Sequence, residues 1–106
     1  MKSVGILIAT LDELKPLRAL LALDHTGPGQ FFVGRLGHLR VQVALSGCGP
    51  HRARVAAQDL CRYGKPDLVI NAGVSGGLWH EACCGDVALA SSVETPGQKR
   101  LPCPVA

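Results

Sequence analysis

Aromatic side chains are nearly absent from this sequence: two Phe, one Tyr and one Trp in 106 residues. That removes the stacking platforms a single-strand nucleic-acid binder needs. Eleven Lys/Arg stand against eight Asp/Glu. They are scattered, with short basic groups only at Arg52/Arg54 and Lys99/Arg100, so no basic stripe forms and nucleic acid is excluded as the expected partner. Charge is also scarce: 18% of residues are charged while 47% are hydrophobic. A chain of this length is one domain at most, and so apolar a composition leaves little polar surface for its outside. A covering partner is expected, either another subunit or further polypeptide.

No apolar run is long enough to span a membrane. "VGILIATL" after Lys2 has the character of a short signal segment, but Asp12 and Glu13 interrupt it and no small-x-small cleavage site follows. A cytoplasmic location is the expectation. The five cysteines (Cys48, Cys61, Cys83, Cys84, Cys103) are odd in number and contain no CxxC pair. They read as reduced thiols, and His80 with Cys83 and Cys84 matches no common zinc spacing, so no metal is expected. There is no internal repeat and no low-complexity tract.

What is present is an alternation of strands and helices. "VGILIA" (4–9) is a continuous apolar run, the signature of a strand buried on both faces. Thr10-x-x-Glu13 then forms a capping-box pattern, and Leu14, Leu17, Leu20 and Leu21 recur at helical spacing, with Pro16 near the first turns. "HTGPGQ" (25–30) reads as a loop. "FFVGRL" and "HLRVQVAL" read as two strands around a turn at Gly37–His38, the second with Leu39, Val41, Val43 and Leu45 on one buried face. "SGCGP" breaks the pattern and Pro50 suits the first position of a second helix, which would bury Val55, Ala56, Leu60 and Tyr63 and close at Gly64. "LVIN" (68–71) is a further buried run, and "DVALASSV" (86–93) a last strand. The tail 95–106 shows no regular pattern, so 1–94 is read as the domain.

The order β-α-β-β-α-β-β points to an α/β fold, a three-layer αβα sandwich with a mixed central sheet. Ligands in such sheets gather at the carboxyl ends of the strands. Three loops belong there: Ala9 to Glu13, Ser46–Gly47–Cys48–Gly49, and the glycine-rich "NAGVSGGL" (71–78). The last places Gly73, Gly76 and Gly77 within five positions, a costly use of backbone freedom unless something must approach the main chain closely.

"GILIATLDE", "SGCGPHRARVAA" and "KPDLVINAGVSGGL....CGDVALAS", in that order, resemble the purine nucleoside phosphorylase and uridine phosphorylase superfamily. The resemblance is nearest to its methylthioadenosine/S-adenosylhomocysteine nucleosidase branch, and it covers about residues 4–94. It implies an oligomeric αβα protein that cleaves the N-glycosidic bond of a nucleoside with water or phosphate as nucleophile and needs no cofactor. It implies that Glu13 orients the attacking water, against the local reading of Glu13 as a helix cap. It implies substrate contacts at Ala9, Ser46, Gly47, Cys48, Gly49, Gly73, Val74, Ser75 and Gly76, with Cys48 at a packing position and Val74 where some relatives carry a hydroxyl. Arg52 and Arg54 could hold phosphate or be solvated. His25, His38, His51 and His80 are expected to face solvent.

The family's polypeptide is longer. Its later part carries a Met-Glu segment that grips ribose and a Ser-Asp pair that protonates the leaving base. The expectation is therefore an N-terminal half whose catalysis is incomplete, with a catalytically inactive ligand-binding or oligomerising fragment as the alternative. A small dinucleotide-binding domain is disfavoured because "SGCGPH" lacks the full G-x-G-x-x-G.

Overall fold

The computed structural model describes residues 1–26 and 31–103. It contains two compact units, Met1–Ser75 and Gly76–Ala106. In the first, β1 (Ser3–Ile8) leads into α1 (Leu11–Leu21), followed by β2 (Asp24–His25), β3 (Phe31–Leu36), β4 (Leu39–Leu45), α2 (Pro50–Asp59) and β5 (Leu68–Asn71). The sheet order is β2-β3-β4-β1-β5. β1 is parallel to β4 on one side and to β5 on the other, whereas β3 is antiparallel to both β2 and β4. The sheet is mixed, as the sequence suggests.

Side-chain alternation along β1 explains the layers. Ile6 and Ile8, with Val41 and Val43 of β4 and Phe32 of β3, face Leu14, Leu17 and Leu21 of α1. Leu7, Ala44 and Phe31 point the other way and meet Ala53, Ala56 and Ala57 of α2, with Leu60 beyond it. Helices thus cover both faces, giving the αβα arrangement. Burial is deepest at Leu14, Leu60 and Val43. Each contributes at most about 1.5–3 kcal/mol relative to leaving it in water.

Several details differ from the sequence reading. Leu20 is 80% exposed, so α1 packs through the buried Leu14 and the half-buried Leu17 and Leu21. On α2 the packed face is alanine, while Val55 and Tyr63 are exposed. The choice follows from size, since small residues let the helix lie close to the sheet. β4 is buried on both faces over Val41, Gln42, Val43 and Ala44, and not on one. Its polar member is tolerated because Gln42 Nε2 donates to the Gly64 carbonyl at 3.0 Å. Helix α2 does not run on to Gly64. It passes at Leu60 into a wider π-type turn, Leu60–Gly64, and the left-handed residue that follows is Lys65, with φ +47°. The loop expected at 25–30 begins one residue later, because His25 pairs with Phe32; residues 27–30 lie outside the described ones.

The second unit corrects the expected strand at 86–93. Of residues 86–93 only Ser92–Val93 is a strand, paired antiparallel with a second short strand, Leu101–Pro102, in the stretch read as irregular. Val87 and Leu89 are exposed, so no apolar face is buried to hold 86–91 extended. A turn is closed instead by the Cys83 amide donating to Asp86 Oδ2 at 2.9 Å and the Asp86 amide donating to the Cys83 carbonyl. No helix among the described residues is long and apolar enough to cross a membrane.

A single carboxylate ties the chain's start to the entry of β5. Asp67 Oδ2 accepts the Lys2 amide at 2.7 Å and the Ser3 amide at 2.9 Å. These two bonds, the Lys2 one first, hold its carboxyl below the usual carboxylate range. A depressed folded-state value means stability that is present above the unfolded value and lost as pH falls through the folded one. Asp67→Ala should therefore lower the urea midpoint at neutral pH, and the gap to wild type should close as pH falls through the carboxylate range. A gap independent of pH would show that the carboxylate charge plays no part. Leu14→Ala should cost about 2–5 kcal/mol in the same measurement, from lost transfer energy and a residual cavity.

Candidate functional site

Because β1, β4 and β5 are parallel, their carboxyl ends share one edge of the sheet. The loops leaving that edge are stitched to one another. The Ser46 amide donates to the Ile8 carbonyl at 2.8 Å and the Gly47 amide to the Ala9 carbonyl at 2.9 Å, which prolongs the β1–β4 ladder into both loops. On the other side the Ala72 amide donates to the Leu7 carbonyl at 3.0 Å.

Glu13 sits between them. Thr10 is the N-cap of α1, and the capping box is complete: the Glu13 amide donates to Thr10 Oγ1 while the Thr10 amide donates to Glu13 Oε1 at 3.2 Å. The Thr10 hydroxyl also donates to Oε1, at 2.9 Å. The second carboxylate oxygen does something a cap does not require. Oε2 accepts the Val74 amide from the β5 loop at 2.9 Å. The Thr10 hydroxyl first, then the Val74 amide, hold the Glu13 carboxyl below its ordinary value, and partial burial opposes them. Glu13 is therefore an anion at neutral pH, suited to orienting a donor.

At Gly73 the need for glycine is geometric. A Cβ on Gly73 would lie 2.9 Å from Glu13 Oε2, so a side chain there would push the carboxylate away. Gly47 and Gly49 have a different reason: their φ values of +81° and +102° are in the left-handed region. Gly76 belongs to the second unit, and a Cβ there would meet open space.

Of the remaining sequence-predicted residues, Ala9 is half-buried and accepts from Gly47. Ser46 turns its hydroxyl back onto the Gly47 carbonyl at 2.8 Å. Cys48 is exposed and does not pack, in contrast to the packing position inferred for it. Val74 reaches Glu13 through its amide while its side chain is 87% exposed, and Ser75 is exposed too. Arg52 lies against Gly47, its Nη1 within 3.1 Å of where a Cβ would be, and both Arg52 and Arg54 are exposed. Among the described residues no three His, Cys, Asp or Glu side chains gather as a metal would require. The sequence reading missed the Val74 amide as a partner of Glu13. No signal could have found it, since every residue but proline offers the same donor.

A groove of about 620 Å³ opens beside Glu13, walled by Ile8, Pro16, Leu17, Leu20, Ala72, Gly73 and Val74. A larger depression of about 820 Å³ lies on the α2 face, reaching from Ser46 and Arg52 to Tyr63. The sequence profile of the phosphorylase superfamily matches residues 3–102. The chain belongs to the phosphorylase superfamily. Within the superfamily it is 32% identical over 97 residues to the 5′-methylthioadenosine/S-adenosylhomocysteine nucleosidase of Chromohalobacter salexigens, covering 88% of this chain and 41% of that protein. The nucleosidase of the same name from Exiguobacterium sp. is 34% identical over 93 residues, 85% of this chain and 40% of that protein. Among solved structures, the 5′-methylthioadenosine/S-adenosylhomocysteine nucleosidase of Neisseria meningitidis, in complex with methylthio-immucillin-A, superposes with a TM-score of 0.71 at 34% identity, over 81% of this chain and 38% of that one. The chain spans about 40% of the length of the curated relatives it matches.

The geometry predicts two variants with one readout. Glu13 takes N–H donors on both oxygens, so Glu13→Gln must turn its NH₂ against one of them, and Gly73→Ala displaces the carboxylate sterically. Both should speed hydrogen exchange of the Val74 amide while leaving the β1, β4 and β5 amides protected. Unchanged exchange at Val74 would mean the Glu13–Val74 bond does not hold the loop.

Proposed function

We propose that this chain provides the nucleophile-orienting part of a purine nucleoside hydrolase, with a 5′-methylthio nucleoside as the substrate class. The observation that carries the reading is the Glu13 carboxylate, ionised and fixed where the β1 and β5 loops meet, beside an apolar groove. Its relatives' names supply the substrate class and favour water over phosphate. In the reaction the bond from C1′ to the base nitrogen breaks, its electron pair leaves with the base, and a water oxygen bonds to C1′. Glu13 holds that water and takes its proton as the new bond forms. A carboxylate held below its ordinary value is a weak base, which suits an oxocarbenium-like centre that accepts water with little prior deprotonation. The departing base needs a proton from a group outside these three loops.

A second reading is a ligand-binding or associating piece without turnover. Val69 and Ile70 on β5 are 39% and 41% exposed, which suits association with another subunit or a further segment.

Titrating the chain with 5′-methylthioadenosine, followed by amide NMR shifts and by purine release with and without phosphate, tests both readings. The expected result is shifts confined to residues 9–13, 46–49 and 73–75. Release should be reduced at least about 10²–10⁴-fold relative to a complete enzyme, the usual worth of one acid–base group. Shifts elsewhere, or none at millimolar nucleoside, would overturn the site. Phosphate-dependent release would overturn the hydrolytic assignment.

A further inference from the structure

The groove beside Glu13 shows how much of the carboxylate is left for a ligand. A carboxylate offers about four acceptor positions. Oε1 is occupied twice, by the Thr10 amide and the Thr10 hydroxyl, and Oε2 once, by the Val74 amide. We propose that Thr10 is a positioning residue for Glu13, using its two donors to fill Oε1 so that the carboxylate presents one open acceptor site, on Oε2, to a single O–H donor. The inference rests on the reading of Glu13 as the group that orients the nucleophile. It deepens that reading by naming the occupant's valence: one water or one lone hydroxyl fits, and a vicinal diol or a guanidinium bridging both oxygens does not.

The Thr10 hydroxyl is what separates this arrangement from an ordinary capping box. A capping box needs only the Thr10 Oγ1 to accept the Glu13 amide and the carboxylate to accept the Thr10 amide. The hydroxyl proton is spare, and it is spent on Oε1. Rotation of the carboxylate about its last bond is then blocked from both ends, by Thr10 on one oxygen and by the β5 loop on the other. The other ionisable group in the groove wall is Asp12, which is exposed on α1 and lies 3.6 Å from Lys15. The β5 loop contributes only Ala72, Gly73 and Val74 to the groove, and across the β4 loop the charged neighbour is Arg52 over Gly47. No charged neighbour contributes to the Glu13 shift, and the Thr10 hydroxyl is its largest cause.

The test is a carboxyl-carbon NMR titration of Glu13 in the whole chain, for wild type, Thr10→Val and Thr10→Ser. Wild type should titrate below an ordinary glutamate. Thr10→Val keeps the amide donor but loses the hydroxyl, so the value should rise, and Thr10→Ser should restore it. Circular dichroism should show that α1 persists in both variants. An ordinary value in wild type would overturn the clamp even if Thr10→Val fails to fold, as would an unchanged value in a folded Thr10→Val. The acid limb of 5′-methylthioadenosine hydrolysis should move to higher pH with Thr10→Val, a change that mere loss of helix stability does not produce. A titration shift in a chain to which no nucleoside binds would overturn the functional reading while leaving the Thr10 clamp standing.

Discussion

Parallel pairing of β1 with both β4 and β5 is the constraint on which the rest of the first unit depends. Ile6 sits opposite Val43 on one side and Ile70 on the other, and Leu7 opposite Ala44 and Asn71. Parallel strands point their carboxyl ends the same way, so the register that buries these side chains also delivers three loops to one edge. An antiparallel β5 would send Gly73 and Val74 to the far end of the sheet, a strand's length from Glu13. Packing and site geometry are therefore set by one choice, and a single-residue slip would disturb both, turning Leu7 and Ala44 toward α1 and their neighbours toward α2.

Glu13 illustrates how a local and a tertiary role can share one side chain. As a cap it satisfies the Thr10 amide, an economy any helix start gains from. As a tertiary contact it receives the Val74 amide from 61 residues away. The two roles use different oxygens and so do not compete. The cap also prepares the site, because an orienting group already fixed by its own helix loses less freedom when a ligand arrives. The sequence alone presents these roles as rivals. In the fold both roles are filled at once, one on each oxygen.

What could be read from the residues was what local chemistry decides. The continuous apolar runs at 4–9 and 68–71, the Thr10–Glu13 box, Pro50 at a helix start and glycines at Gly47 and Gly49 each have a nearby cause, and the strands and helices follow them. What could not be read was decided by partners distant in the chain. The alternation in β4 suggests one buried face, and nothing near Gln42 reveals that the Gly64 carbonyl waits for its amide. Helical spacing joined Val55 and Tyr63 to Leu60, but the sheet selected the alanines, which permit closer approach. The run at 86–93 has strand character, yet a strand exists only where a neighbour bonds to it, and for most of that run there is none among the described residues. The candidate site divides the same way: its glycines and its carboxylate were legible, while the bond from the Val74 amide to Glu13 was not.

The same reasoning explains why the Glu13–Val74 bond matters more than an isolated, half-exposed hydrogen bond would. "LVIN" has the composition of a strand covered on both sides, yet among the described residues β5 pairs with β1 alone, and Val69 and Ile70 stay partly open to solvent. An edge strand lacks a second ladder to fix the path of the chain beyond it. Past Asn71 the loop has two tethers, the Ala72 amide on the Leu7 carbonyl and the Val74 amide on Glu13. The first merely continues the β1 ladder. The second is the one that bends the chain back over the start of α1, and Gly73 is glycine because the bend brings backbone against carboxylate. The acidic side chain thus does for this loop what a neighbouring strand would do for an interior one. Displacing the Glu13 carboxylate would release this loop and the helix cap together, because the two contacts sit on the two oxygens of one side chain.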